Sequence, residues 1–161
     1  MASEREFTEL IDQHRGILYK VIRLYVRHEE DERDLFQEIL FQAWRSFPNF
    51  KGNSKFSTWL YRVALNTVLT FKRRPQVVIA HEDLSQLKTS TADKQRADEE
   101  SEALYQAIRE LNEIDRMIIS LHLDGYLNEE IAEIAGLTKN NAAVKLHRIK
   151  ENLINRLKSL S

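Results

Sequence analysis

Hydrophobic residues recur along most of the chain three and four positions apart, which is the spacing that builds one face of an α-helix. In the first part of the chain this pattern predicts two short helices from Phe7 onward, separated near Arg15 and Gly16. A third helix begins at the acidic residues 29–32, because carboxylates favour a helix N-terminus through its dipole. The chain holds only four Gly and two Pro to interrupt this periodicity, so the predicted fold class is all-α.

The third helix is expected to end near Phe47 and Pro48, because proline cannot continue the backbone hydrogen-bond ladder. A short polar loop follows. Helical spacing then returns and predicts a fourth helix from about Ser57 to Arg73.

Residues 76–98 lack sustained periodicity and are rich in Ser, Thr, Asp, Lys and Gln, which is typical of a flexible linker. Helical spacing resumes at about Glu99, and no segment of the chain repeats another. We therefore predict two small helical domains, residues 1–75 and residues 99–161, joined by this linker.

The segment from Asn128 to Lys158 has the layout of a helix-turn-helix. The short helix EEIAEIA precedes Gly136, at a place where a positive φ is favoured, and Thr138 can cap the second helix. We expect a hydrophobic seam between the two helices, formed by Ile131, Leu137, either Ala142 or Val144, Leu146 and Ile149.

The amino-acid composition excludes several classes of protein and of functional site. There is no cysteine, which excludes a disulfide framework and a cysteine-based metal or redox site. The apolar runs are too short to span a bilayer and the N-terminus has no apolar signal-peptide core, so we expect a cytoplasmic protein without direct membrane insertion. The five histidines show no paired metal-ligand spacing, and we predict neither a metal nor a cofactor.

The formal net charge of −1 conceals an uneven distribution of charge. Between Ile39 and His81 there is no Asp or Glu, while seven Lys or Arg alternate with aromatic residues. Cations bind phosphates and exposed aromatic faces can stack on unpaired bases, so this stretch predicts a surface for single-stranded nucleic acid. The periodic spacing of Phe56, Trp59 and Leu60 favours the core over a stacking surface for these side chains, and Trp44 is also expected in the core.

The second helix of the helix-turn-helix is basic. Residues 139–158 contain six Lys or Arg and a single acid, Glu151. Recognition helices read base edges with their N-terminal residues and hold phosphates with flanking cations, so this helix predicts binding to duplex DNA. A solvated basic helix that touches no DNA would carry the same charge and is the alternative interpretation.

Three runs of sequence together resemble the extracytoplasmic-function group of bacterial RNA polymerase sigma factors. DERDLFQEILFQAWRSF is similar to the part of that family that binds core RNA polymerase, and FKGNSKFSTWLYRVALNTVLTFKRR to its promoter-melting and −10 region. LDGYLNEEIAEIAGLTKNNAAVKLHRIKENL is similar to its −35-binding helix-turn-helix. The resemblance implies a factor that binds core RNA polymerase, through the β′ clamp and β subunits, and directs initiation at promoter DNA. It also implies an anti-sigma protein as a candidate partner.

In that family an acidic and amide face of one helix docks on a coiled coil of the β′ clamp. The matching residues here are Asp31, Asp34, Gln37 and Glu38, which fall three, four or seven positions apart and so share one side of a helix. A solvated acidic face would show the same spacing. A catalytic or metal-binding pair formed by Asp34 and Glu38 is a further alternative, but no His or glycine-rich loop accompanies it, and we predict no catalytic residue.

The resemblance also implies contacts to the melted −10 element. The loop after the third helix matches the family's loop that captures a flipped base, and Asn66 matches its asparagine that hydrogen-bonds a base of the non-template strand. Basic residues nearby are candidates for phosphate contacts. The predicted −10 contacts are Phe50, Lys51, Asn53, Ser54, Lys55, Arg62, Asn66, Arg73 and Arg74.

Contacts to the −35 duplex are implied along the second helix of the helix-turn-helix. Ala143 and Val144 are small and apolar where several relatives carry a basic and a polar side chain, so the base preference of relatives does not transfer directly. Ala143 could instead contact a thymine methyl group. The predicted −35 contacts are Lys139, Asn140, Asn141, Ala143, Val144, Lys145, His147, Arg148 and Lys150.

Three other functions fit parts of the sequence. A helix-turn-helix repressor or activator would use residues 1–75 for dimerisation or sensing and would bind operator duplex without core polymerase. A small nuclease would cleave DNA through Asp34 and Glu38 with a divalent metal. A polymerase- or sigma-binding regulator would use the same fold without initiating transcription.

Overall fold

The computed structural model describes residues 3–71 and 95–160, and every regular element within those ranges is helical. They form two compact units, one on each side of residues 72–94. The prediction of an all-α fold with two small helical domains is confirmed. Most of the predicted linker lies outside the described residues, and so do Arg73 and Arg74.

The first unit is built from α1 (Glu4–Gln13), α2 (Arg15–Tyr25), α3 (Glu29–Ser46), a 3₁₀ turn (Phe47–Asn49) and α4 (Phe56–Phe71). Helices α2, α3 and α4 pack against one another. Their shared core consists of aliphatic side chains with no exposed surface, namely Leu18, Val21, Leu35, Ile39, Leu60 and Val68.

Polar caps fix the start of α1. Ser3 Oγ accepts a hydrogen bond from the backbone N–H of Glu6 at 3.0 Å, and the Glu6 carboxylate accepts one from the backbone N–H of Ser3 at 3.5 Å. This reciprocal pair satisfies two donors that a helix start otherwise leaves open. The break before α2 falls at His14, next to the predicted position at Arg15, and Gly16 lies inside α2.

Helix α3 begins and ends as predicted. Its first turn holds the four acids at positions 29–32, which complement the helix dipole. It ends at Ser46, and Pro48 lies within the 3₁₀ turn that follows.

The prediction that Trp44 belongs to the core is wrong, since 42% of Trp44 is exposed. The core-facing stripe of α3 runs through Leu35, Ile39 and Ala43, which repeat every four residues. Trp44 follows Ala43 and so falls on the flank of that stripe, where its ring makes an edge contact with Phe7 at a centroid distance of 5.2 Å.

The second unit consists of α5 (Gln95–Arg109), α6 (Glu113–Leu123), α7 (Asn128–Ala135) and α8 (Lys139–Leu160). Helix α5 begins before the predicted restart at about Glu99. Helix α8 packs against each of the other three helices. The centre of the core is formed by almost fully buried side chains, Met117, Ile118, Leu121, Ile131 and Ile134.

A buried arginine connects α5 to α6. Arg116 is 8% exposed, and its Nη2 donates hydrogen bonds to the backbone carbonyls of Arg109 at 2.9 Å and Leu111 at 3.0 Å. The last carbonyls of a helix lack partners within the helix, so the guanidinium satisfies groups that would otherwise be buried unpaired. Arg116 therefore has a structural role.

The helix-turn-helix is confirmed in its details. Gly136 has φ +74°, and the backbone N–H of Leu137 donates to the carbonyl of Ala132 at 2.8 Å, which closes the turn. Thr138 caps α8, because its Oγ1 accepts a hydrogen bond from the backbone N–H of Asn141 at 3.1 Å.

The seam between α7 and α8 uses Ala142 rather than Val144. Ala142 is 1% exposed, whereas Val144 is 42% exposed. Ala142 lies four residues before Leu146 and seven before Ile149, both buried, so these three share one face of α8. Ile131 is buried opposite them and Leu137 is half-buried.

Candidate nucleic-acid and partner surfaces

The four predicted core-binding residues lie on α3, but they do not all face the same neighbouring helix. Asp34 and Gln37 are exposed, and Asp31 and Glu38 are half-buried. Gln37 lines a groove between α2 and α3, whereas Glu38 lines a cleft between α3 and α4. Consecutive residues are about 100° apart around a helix, so the adjacent residues Gln37 and Glu38 face different neighbouring helices.

The groove between α2 and α3 has a volume of about 370 Å³ and was not predicted. In it Tyr19 and Phe36 stack at a centroid distance of 5.7 Å, and Tyr19 is 45% exposed. Arg33 pairs with Glu29 at 3.5 Å along its edge. Residue spacing alone does not distinguish Tyr19 and Phe36 from core positions, so the sequence holds no signal for this groove.

The cleft between α3 and α4 has a volume of about 270 Å³. It brings together two residues predicted to bind different partners, since Glu38 was assigned to core polymerase and Asn66 to −10 DNA. Gln42 lies beside Glu38, and its Nε2 donates a hydrogen bond to Glu38 Oε2 at 3.1 Å. Ser46 continues the α3 wall, one turn beyond Gln42.

The threonines of the α4 wall use their hydroxyl hydrogens within the helix. Thr67 Oγ1 donates to the carbonyl of Val63 at 2.7 Å, and Thr70 Oγ1 donates to the carbonyl of Asn66 at 3.2 Å. The other polar side chains that line this cleft are the carboxylate of Glu38, the amides of Gln42 and Asn66 and the hydroxyl of Ser46.

The loop between the 3₁₀ turn and α4 packs on a cluster of aromatic side chains. Phe50 packs against Phe47, Phe56 and Trp59 at centroid distances of 6.3, 5.6 and 5.3 Å. Phe56 is buried as predicted, and Trp59 is half-buried. Gly52 has φ +77°, a backbone conformation that glycine adopts without a Cβ clash. The rings thus hold the two ends of the loop while its tip stays in solvent.

Most of the predicted −10 contacts on this loop and on α4 are at the surface. Phe50 and Ser54 are half-buried, so Phe50 supports the loop more than it offers a stacking face. The exposed members are Lys51, Asn53, Lys55, Arg62 and Asn66.

Helix α8 presents most of the predicted −35 contacts on its outer face. Ala143 and Lys145 are half-buried. The exposed members are Lys139, Asn140, Asn141, Val144, His147, Arg148 and Lys150.

Carboxylates stand beside several of these side chains. Lys145 Nζ lies 3.0 Å from Asp115 Oδ1, and the two side chains are 40% and 19% exposed. Lys139 Nζ lies 3.4 Å from Glu129 Oε1, a contact between two well-exposed side chains. An exposed pair is screened by solvent, whereas the partly buried pair of Lys145 and Asp115 ties α8 to α6 more firmly.

The positive charge of Lys150 also affects a histidine of α6. Burial and the nearby positive charge of Lys150 lower the pKa of His122 below its ordinary value. His122 is half-buried, so the neutral imidazole is the favoured form in the folded protein at neutral pH.

Within residues 3–71 and 95–160 no three His, Cys, Asp or Glu side chains gather into a group that could hold a metal ion. None of the helices described in those ranges has the length and apolar character needed to cross a membrane.

Comparison with known families assigns each unit separately. The sigma-70 region 2 family matches residues 10–77, and the sigma-70 region 4 family matches residues 101–153.

Curated relatives match over almost the whole chain. The ECF RNA polymerase sigma-E factor of Haemophilus influenzae is 28% identical, over 98% of this chain and 90% of its own length. The sigma-E factor of Escherichia coli is 27% identical, over 98% and 89%. The RNA polymerase sigma-H factor of Pseudomonas aeruginosa is 28% identical, also over 98% and 89%.

Two solved structures share the fold. One is CnrH in complex with the cytosolic domain of CnrY, with a TM-score of 0.69 and 22% identity over 99% of this chain and 92% of that chain. The other is the sigma factor RpoE of Bartonella quintana in complex with the anti-sigma factor NepR, with a TM-score of 0.67 and 19% identity over 96% and 98%.

Proposed function

Because this chain belongs to the sigma-70 family, in its extracytoplasmic-function group, we propose that it binds core RNA polymerase and directs it to a specific set of promoters. The observation that carries the proposal is that the region 2 and region 4 families both match, in that order, on two separate helical units. The first unit would bind core polymerase and the melted −10 element, and the second unit the −35 duplex.

The alternative of a helix-turn-helix regulator that acts without polymerase leaves the first unit unexplained. Binding of duplex DNA alone does not account for an acid-free loop packed on aromatic side chains, or for the exposed Asn66 on the adjoining helix. The relatives that align with 98% of the chain are named as sigma factors, which favours the initiation role.

Core binding would depend on the acidic side of α3. Asp34 is exposed at its centre, with Asp31, Gln37 and Glu38 around it. We assign this surface to the β′ clamp of the polymerase. Carboxylates at the rim of an interface mainly accelerate encounter with a basic partner and select the correct register.

Recognition of the −10 element would require unpaired bases. Strand separation costs stacking energy, and pockets that hold the extruded bases and neutralise their phosphates offset that cost. Lys51 and Lys55 on the loop and Arg62 on α4 are placed to supply charge, together with Arg73 and Arg74. Asn66 would hydrogen-bond a base of the non-template strand.

Recognition of the −35 element would place the N-terminal part of α8 in the major groove. Asn140, Asn141 and Val144 are exposed there and can reach base edges, because Asn pairs with adenine and an apolar side chain can contact the thymine methyl group. Arg148 and Lys150 further along the helix would contact phosphates.

We assign this protein no chemistry of its own, since nucleotide addition would belong to the polymerase. It would then need no cofactor and would act in the cytoplasm, where it meets core polymerase. The two solved structures that share its fold include a sigma factor bound to an anti-sigma factor, so an inhibitory partner of that kind is proposed here as well.

The core-binding assignment is tested with Asp34→Lys. Reversal of an exposed charge at the centre of the surface should weaken binding to core polymerase by at least about tenfold, or about 1.4 kcal/mol. Affinity is measured by fluorescence anisotropy of the labelled full-length chain titrated with core enzyme.

Glu102→Lys is the matched control, because it makes the same charge change at an exposed position of α5, in the other unit. Circular dichroism should show unchanged helix content in both variants. Equal affinity of Asp34→Lys and the wild type would reduce the acidic side of α3 to a solvated surface and remove the core-binding assignment.

A further inference from the structure

The carboxylate of Asp115 is held in place at the N-terminal end of α6. Asn112 caps this helix, because its Oδ1 accepts a hydrogen bond from the backbone N–H of Asp115 at 2.9 Å. The amide of Asn112 also donates from Nδ2 to Asp115 Oδ2 at 3.2 Å. The cap thus fixes one carboxylate oxygen and leaves the other, Oδ1, to pair with α8.

Asp115 Oδ1 binds a lysine of the helix that is proposed to read DNA. Lys145 Nζ lies 3.0 Å from this oxygen, and the side chain of Asp115 is only 19% exposed. Attraction between charges that are partly removed from water is screened less than attraction at the surface. The ammonium of Lys145 is therefore restrained against α6. The other cations in this part of α8 are exposed, namely Lys139, Arg148 and Lys150.

A second ion pair in the same unit is restrained far less. Lys139 Nζ lies 3.4 Å from Glu129 Oε1, and the two side chains are 67% and 70% exposed. Solvent screens such a pair, and many exposed pairs contribute nothing measurable to stability. Lys139 can therefore readily exchange Glu129 for a DNA phosphate. Lys145 would instead have to leave the half-buried carboxylate of Asp115 without its cation, which is unfavourable.

Lys145 lies at the edge of the side of α8 that is proposed to face DNA. Asn141 and Arg148, four residues before it and three after it, are exposed on that side. A lysine ammonium sits on a flexible aliphatic stem, so it can turn either towards α6 or outward to a phosphate. The direction of the Lys145 side chain therefore depends on which anion holds it.

We infer that Asp115 is a positioning residue, which holds Lys145 off the DNA backbone and so lowers the affinity of α8 for duplex of any sequence. Phosphate contacts place a protein on DNA but carry no sequence information, whereas base contacts read the sequence. With Lys145 withheld, the sequence-independent contribution is smaller, and α8 stays bound where base contacts add to it. This matters because non-specific sites compete in large excess. The inference rests on the proposed binding of α8 to the −35 duplex and adds to it a residue of another helix.

The test uses holoenzyme assembled from core RNA polymerase and the full-length chain. Anisotropy titrations over a range of salt concentrations measure its affinity for a promoter fragment and for the same fragment with a scrambled −35 element. Asp115→Asn keeps the size of the side chain and removes the charge that holds Lys145. The slope of log affinity against log salt should steepen by about 0.9 on both fragments, because a released Lys145 adds one phosphate contact. A rise from about 50 to 200 mM salt then weakens binding about threefold more than in the wild type.

Two further variants show whether Asp115 acts through Lys145. Loss of a negative charge near DNA would by itself raise affinity, without any movement of the lysine. The double variant Asp115→Asn/Lys145→Ala separates the two effects, because it has no ammonium to release and should show the same slope as Lys145→Ala alone. Asp115→Ala should steepen the slope as Asp115→Asn does.

Glu129→Gln is the matched control, since it removes the carboxylate from the exposed pair with Lys139. Lys139 is already able to reach a phosphate, so the slope should equal that of the wild type. Circular dichroism of each variant should show unchanged helix content.

Two results would overturn the inference. One is the same slope for the wild type and both single variants of Asp115. The other is a steeper slope that persists in the double variant, which would show that the carboxylate acts through its own charge and not through Lys145. Failure of the proposed −35 recognition is distinguishable, because the wild-type holoenzyme would then bind both fragments equally. The comparison of slopes would still decide whether Asp115 restrains Lys145.

Discussion

Lys145 and Arg148 carry the same charge and lie three residues apart on α8, but their surroundings differ. Lys145 is held by the partly buried carboxylate of Asp115 on α6, whereas Arg148 is exposed on the outer face. The sequence places both on one basic helix and cannot rank them, because Asp115 precedes Lys145 by thirty positions. The pair forms only when α6 and α8 pack.

These surroundings lead to different expectations for two alanine variants. Arg148→Ala should remove one phosphate contact, so the slope of log affinity for promoter duplex against log salt should become shallower by about 0.9. Lys145→Ala should leave that slope closer to the wild type and instead lower the free energy of unfolding by about 1 kcal/mol. Anisotropy titrations of the holoenzyme at several salt concentrations and urea unfolding of the free chain measure the two effects. Equal changes of slope in both variants would contradict the distinction.

The role proposed for Asn66 also belongs to the scale of a single side chain. Asn66→Ala should slow promoter opening about tenfold or more, because the amide can pair with a base only after that base has left the duplex. Core affinity should be unchanged, since Asn66 lies on α4 and not on the acidic side of α3. Permanganate reactivity of the −10 thymines measures opening, and anisotropy measures core binding. A loss of core affinity equal to the loss of opening would show that Asn66 does not read the −10 strand.

At the scale of elements, local chemistry was enough to predict the helix-turn-helix. Gly136 supplies the positive φ of the turn and Thr138 the cap of α8, and both act within a few residues of chain. The choice between Ala142 and Val144 was left open, because both lie at helical spacing from other seam residues. The packing of α8 against the other helices of the unit settles it, since Ala142 is buried and Val144 is exposed.

The turn gives a direct prediction for two glycines. Gly136→Ala should destabilise the second unit by about 1–2 kcal/mol, because a Cβ is unfavourable at φ +74°. Gly16→Ala is the matched control, since Gly16 lies within α2 with nothing within 4 Å of the added Cβ, and it should stabilise the first unit by about 0.5–1 kcal/mol.

The two units can be followed separately during urea unfolding. Both tryptophans, Trp44 and Trp59, belong to the first unit, so fluorescence reports that unit while circular dichroism reports the helices of both. Gly136→Ala should shift part of the dichroism transition and leave the fluorescence transition in place. A shift of both transitions together would mean that the units do not unfold independently.

At the scale of the whole chain, the sequence predicted the order of the two units and the classes of nucleic acid assigned to them. It did so because the acid-free stretch is one unbroken run of sequence and the basic helix is another. It could not predict that Glu38 and Asn66 line one cleft, or that Tyr19 and Phe36 line a groove. Those pairings are set by how α2, α3 and α4 pack, and helical spacing within one element carries no information about its neighbours.

The central claim is that both units serve one event, initiation by core polymerase at promoters that carry a −10 and a −35 element. The most direct measurement mixes the purified chain with bacterial core RNA polymerase and sequences transcripts from a library of promoter fragments. We expect initiation at a subset of fragments that share two sequence elements at a fixed spacing, and none with core alone. No binding to core, together with tight binding of an operator duplex by the chain alone, would contradict the account.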